Sequence, residues 1–137
     1  MPVTSSAAPD SKSIRLIHLS LLAGVLLFLA VALFVRSDAS LSGESRIDLI
    51  LLAVAVPLLV LALVLRARIP ARRASEQPDG WWQTHYTRVV ILWSLIESAS
   101  LMGIVGFWLT GNSLPLAATA AGVFLFAITA PARLAAE

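Results

Sequence analysis

Long apolar runs alternate with short polar segments along the 137 residues, and this is the chain's dominant pattern. The runs cover about 14–35, 47–65, 89–109 and 114–130. A helix crossing a bilayer needs about 17–25 mostly apolar residues, and each run meets that length. The predicted fold class is therefore all-α, an integral membrane bundle of four transmembrane helices over 14–134. Residues 1–13 are small and polar, lack apolar periodicity, and read as a disordered tail. The first run is longer than the about 7–15 residues of a signal-peptide core, so it is read as a retained span.

Several residues mark where these helices bend or stop. Pro57 lies inside the second run, where proline leaves the carbonyl four residues earlier, that of Ala53, without its usual donor. Pro70, Pro78 and Gly80 punctuate the polar 66–88 loop, so the third helix is expected to start near Val89. Trp81, Trp82 and Tyr86 then fall just before that span, at the level where half-wet aromatic rings anchor in headgroups. A partner-binding aromatic patch is the other reading of these three. Thr110-Gly111-Asn112-Ser113 is a tight turn, with Ser113 as N-cap and Pro115 in the first turn of the fourth helix.

Composition supports the membrane assignment. The chain is 58% hydrophobic and 13% charged, against about 25% charged in soluble domains. It has no cysteine, and its two histidines, His18 and His85, lie too far apart for metal-ligand spacing. No cofactor is expected. The isoelectric point near 9.9 would suit a nucleic-acid partner, but the arginines flank the apolar runs, where membrane insertion explains them.

Charge also orients the chain. With four spans, the N-terminal tail, the 66–88 loop and the C-terminus share one side. That side holds Lys12, Arg15, Arg66, Arg68, Arg72, Arg73, Arg88 and Arg133, eight of the ten basic residues. Only Arg36 and Arg46 fall on the other. Basic residues concentrate on cytoplasmic flanks, so both termini are expected in the cytoplasm of a multi-pass protein of the cell (inner) membrane.

Two short segments resemble each other. Residues 69–76 read IPARRASE and 130–137 read APARLAAE, identical at five of eight positions. Two duplicated hairpins, parallel repeats about an axis along the membrane normal, would produce this. So would chance recurrence of proline-arginine helix exits.

Glu97, the ninth residue of the third run, carries the chemistry. A charge at that depth costs about 2.5–3.5 kcal/mol, so such a residue faces protein or water rather than lipid. Depth matching brings it level with Pro57 on the second span, with the Ala53 carbonyl one turn further out, and with Gly24 on the first. Ser94, Ser98 and Ser100 are nearby hydroxyls, and no lysine or arginine lies at that depth. The candidate proton or cation site is thus Glu97, Ser94, Ser98 and Ala53. A helix-to-helix hydrogen bond from a neutral carboxyl is the competing reading. Asp48 and His18 sit near span ends and can reach an interface. Ala99, Gly103 and Gly106 on the third span, with Gly24 on the first, mark close helix packing.

The run Glu97-Ser98-Ala99-Ser100-Leu101-Met102-Gly103-Ile104-Val105-Gly106 resembles the carboxylate helix of rotor-ring c subunits of F- and V-type ATP synthases. The resemblance implies Glu97 as ion carrier, with the 65–73 turn as the cytoplasmic loop of a hairpin. It covers ten residues. The second span lacks the glycines of that family's partner helix, and the family's polar loop signature is absent. As a whole the chain resembles the small four-span membrane proteins of bacteria, a broad type with no activity attached.

The expected function is non-enzymatic: a structural or accessory membrane protein, packing in the bilayer with itself as a homo-oligomer or with a larger membrane complex. Proton or cation translocation through Glu97 is the alternative. No paired catalytic carboxylates and no nucleophile-base set occur within the spans.

Overall fold

The computed structural model describes residues 10–35 and 46–134. Within them the chain forms five helices: α1 (Ser11–Phe34), α2 (Ile47–Ala67), α3 (Pro78–Thr110), α4 (Leu116–Ile128) and α5 (Pro131–Leu134). No strand occurs among the described residues. The expected tail lies largely outside them, and the part that is described is already structured. Asp10 caps α1, its Oδ1 accepting from the Ser13 amide at 2.9 Å. Hydrogen bonding to Ser13, side chain first and amide second, holds the Asp10 carboxyl below its ordinary range. The polar 37–46 loop falls outside the described residues except for Arg46, as do the last three positions of the APARLAAE segment.

Helices α1, α2 and α3 are each long and apolar enough to cross a membrane. The fourth falls short. Its 13 residues rise about 20 Å, against a hydrocarbon core of about 30 Å. The four-span bundle expected from the sequence is thus three long helices and one short apolar one. The prolines at its two ends explain the shortfall. Pro115 terminates a turn closed by three-residue bonds, Leu116 N to Ser113 O and Ala117 N to Leu114 O, so the helix starts at Leu116 and Ser113 is not its cap. At the other end, Pro131 supplies no N–H and disfavours helix at Ala130, and α5 begins as a separate turn.

Helix α3 departs from expectation in the opposite direction. It starts at Pro78, eleven residues before Val89, and its 33 residues reach about 50 Å. Pro78 is at N1, where its missing N–H costs nothing, and Trp81 N closes the first turn on Gln77 O at 3.1 Å. The tryptophans drive the extension. Trp81 and Trp82 are buried in the main apolar cluster with Ile14, Ile69 and Leu134, while Tyr86 packs partly buried against it. The two rings meet edge to face, their centroids 4.8 Å apart. They therefore brace α1, the loop and α5 from inside.

The long α3 is the axis of the bundle. Helices α1, α2 and α4 all pack on it, whereas α1 and α2 hardly touch each other. Consecutive α1 and α2 therefore do not form a side-by-side hairpin like α3 and α4. The matching segments also differ in backbone: Pro70–Arg73 is irregular, while Pro131–Leu134 is helical. A duplicated hairpin finds no counterpart in this packing.

Helix α2 runs through Pro57 without a break in assignment. It meets α3 through Ala55 and Ala62, with Ala55, Ala99 and Ala118 forming a small-residue contact among α2, α3 and α4. The start of α2 is tied to the α3–α4 turn, where Asp48 Oδ2 accepts from Asn112 Nδ2 at 2.7 Å. Asn112 Oδ1 in turn accepts from Leu114 N at 3.0 Å, and Gly111 takes the left-handed φ of 70° that ends α3.

Candidate functional site

Trp93, Glu97, Ile104 and Trp108 recur at helical spacing and define one stripe of α3. Helix α1 lies along it in parallel. The His18 ring meets Trp93 edge to face at 4.8 Å. Further along, Phe28, Val31, Ala32 and Val35 of α1 line a shallow apolar cavity with the exposed Trp108. Glu97 falls between these two contacts, one turn beyond Trp93, and is half-buried.

The other sequence-predicted residues are not gathered around it. Ala53 is exposed, and no hydrogen bond joins it to Glu97 among the described residues. Ser98 Oγ donates to Ser94 O at 2.8 Å, and both serines are exposed. Gly24 is exposed, and a Cβ built there meets nothing within 4 Å. Ala99, Gly103 and Gly106 are buried. A Cβ on Gly103 would meet the Pro115 carbonyl and Thr119, and one on Gly106 would meet the Pro115 ring at 2.8 Å. The glycine step of the rotor-ring resemblance is therefore occupied by this chain's own α4.

The buried hydroxyls of Ser100, Thr119 and Thr129 are paired. Thr119 Oγ1 donates to Ser100 O at 2.9 Å, and Ser100 Oγ to Ile96 O at 2.8 Å. A latch that the sequence reading missed closes the end of α4. The last carbonyls of a helix lack intrahelical donors. Here His18 Nε2 donates to Phe126 O at 3.1 Å, and Trp93 Nε1 donates to Thr129 O at 3.1 Å. Thr129 Oγ1 donates to Leu125 O at 2.7 Å. The short α4 is thus capped by side chains from α1 and α3. The sequence signal was Pro131, which ends the helix and leaves its last carbonyls in need of such donors.

Glu97 contrasts with these groups. It makes no hydrogen bond and no ion pair among the described residues. The intramolecular helix-to-helix bond expected of it is not formed.

The basic end of the bundle holds two cavities. One, of about 460 Å³, is walled by Arg73, Glu76, Trp81 and His85. His85 is buried there, stacked on Trp81 at 4.8 Å, with Nδ1 donating to Trp81 O at 3.0 Å. The Trp81 indole N–H is buried without a partner among the described residues. The second cavity, of about 340 Å³, lies between α1, the 68–77 loop, α3 and α5. No cluster of metal-ligating side chains occurs among the described residues.

No protein-family model matches the chain, and no curated protein or solved structure shows significant similarity to it. The rotor-ring resemblance of residues 97–106 gains no support from relatives.

Proposed function

We propose that this chain is a small accessory protein of the cell membrane that docks against another membrane helix through the Glu97 flank of α3. That helix belongs to a second copy or to a larger complex. One observation carries the reading. Glu97 lacks a partner among the described residues, although the polar groups buried between the helices around it have theirs. A carboxyl at this depth is stabilised by a donor, and α1, α2 and α4 supply none. A helix docking beside α1 would bring one.

The expected outcome is specific. Glu97→Leu leaves the unfolding of the isolated chain in detergent unchanged, because no internal bond is lost. It abolishes self-association or co-purification with the complex, and Glu97→Gln, which still donates and accepts, retains it. Lower stability in Glu97→Leu, with association intact, would sink the reading. Proton or cation translocation is the second reading, favoured by the same unpaired carboxyl. It predicts proton flux into liposomes above background, lost in both variants because glutamine cannot release a proton.

The orientation belongs to this proposal. Both termini and the 66–88 loop face the cytoplasm, on the eight-to-two distribution of basic residues. A reporter active only in the cytoplasm works when fused after Glu137 or within 74–80, and one active only outside works within 37–44. Cytoplasmic reporter activity within 37–44 would reverse the topology.

A further inference from the structure

The cavity of about 340 Å³ at the basic end collects charge from separate parts of the chain. Ser11 and Arg15 come from the first turns of α1, Arg72 from the loop, Pro78 and Trp82 from the start of α3, and Pro131 from the start of α5. Its volume lies at the lower end of the about 300–1,000 Å³ typical of small-ligand sites. Two guanidiniums 57 positions apart in sequence share it, and neither Glu76 nor Asp79 lines it. Arg15 has no hydrogen-bond or ion-pair partner among the described residues. Arg72 is oriented by its Nη1, which donates to Glu76 O at 2.7 Å. A guanidinium carries five donors in a planar fork suited to phosphate oxygens.

Position narrows the ligand further. The cavity opens where α1, a helix long and apolar enough to cross a membrane, begins. That is the level of lipid headgroups. Buried Trp82 forms a stiff wall beside the arginines. Basic pockets between membrane helices at this level take anionic headgroups. The geometry points to a binding site for an anionic phosphate group, clamped between Arg15 and Arg72 at the edge of the bundle. This site is independent of Glu97, which lies more than ten residues further along α3.

The test is native mass spectrometry of the full chain in mild detergent, titrated with phosphatidylglycerol or with zwitterionic phosphatidylcholine. Wild type is expected to retain phosphatidylglycerol preferentially. Arg15→Gln weakens that binding about tenfold, the loss of one charge-assisted hydrogen bond. Arg68→Gln removes the same charge from an exposed position outside the cavity and leaves binding unchanged. Arg72→Gln also weakens binding, and its unfolding curve separates loss of the clamp from loss of the bond to Glu76. A further arm adds millimolar inorganic phosphate. Failure to displace the lipid identifies a headgroup site; displacement in wild type, with loss of phosphate binding in Arg15→Gln, identifies a soluble phosphate as the source. Equal retention of the two lipids, or equal weakening by Arg15→Gln and Arg68→Gln, overturns the site.

Discussion

Gly103→Ala destabilises the fold by about 2–3 kcal/mol, while Gly24→Ala stabilises it by up to about 1 kcal/mol. The two glycines lie in long apolar helices, and the substitution is the same. Their surroundings differ. A Cβ on Gly103 falls against the Pro115 carbonyl and the Thr119 backbone nitrogen and hydroxyl. Two of these are backbone atoms of the α3–α4 junction, which cannot move without moving α4. Overpacking of this kind costs about 1–3 kcal/mol, and losing the Thr119 bond to Ser100 O would add to it. At Gly24 nothing lies within 4 Å. There alanine simply improves helix propensity, by up to about 1 kcal/mol. Gly122 falls between these extremes. A Cβ there meets the Ser100 hydroxyl, which can rotate, with Ser100 Cβ at 3.2 Å and Ile96 O at 3.3 Å behind it. Unfolding in a denaturing detergent series measures all three. A destabilising Gly24→Ala would mean that α1 packs differently, and a neutral Gly103→Ala would mean that α4 is not seated on α3.

Loss of the latch at the end of α4 is the second large effect. His18→Leu leaves Phe126 O without its donor, and Trp93→Phe does the same to Thr129 O. An unsatisfied buried carbonyl costs about 1–3 kcal/mol. Trp93 is fully buried, so the smaller phenylalanine also leaves a void. Trp81→Phe is the control. Trp81 is equally buried, but its N–H has no partner among the described residues, so only the void is created and the cost is smaller. The two donors should also couple. Their rings touch at 4.8 Å, and His18 meets Phe126 at 5.6 Å, so one variant loosens the frame that holds the other. A double-mutant cycle on His18 and Trp93 is expected to show coupling of at least about 0.5 kcal/mol, beyond the scatter of independent sites. Additive losses, or a Trp81→Phe cost equal to that of Trp93→Phe, would show that the hydrogen bonds to α4 contribute little.

Part of the candidate site was legible before the fold. Glu97 stands out because a carboxyl within an apolar run is costly wherever the run lies. Ala99, Gly103 and Gly106 stand out because small residues at helical spacing permit close approach. The partner of Glu97 was not legible. Depth counting placed Glu97 level with Pro57 on an antiparallel neighbour, with the Ala53 carbonyl one turn further out, but depth fixes only one coordinate. The rotation of each helix is set by which residues it buries. Helix α2 turns Ala55 and Ala62 toward α3, which leaves Ala53 outside, while His18 and Trp93 bring α1 onto the Glu97 stripe. Gly24 shows the same limit, since a glycine reads alike on a packed face and an open one.

The sequence by itself determined that this chain is all-helical, with runs long and apolar enough to cross a membrane, because hydropathy and length act locally and need no neighbour. It likewise determined that basic residues gather at one end, since charge placement follows from the order of the runs. Tertiary structure alone decided that α3 extends back to Pro78. Its first turns are polar and carry a glycine, and they are helical because Trp81 and Trp82 bury against α1, the loop and α5. It also decided what takes up the carbonyls freed before Pro131 at the end of α4, where His18 and Trp93 supply the donors. In both cases the deciding contact joins residues far apart in the chain, so no local pattern carries it.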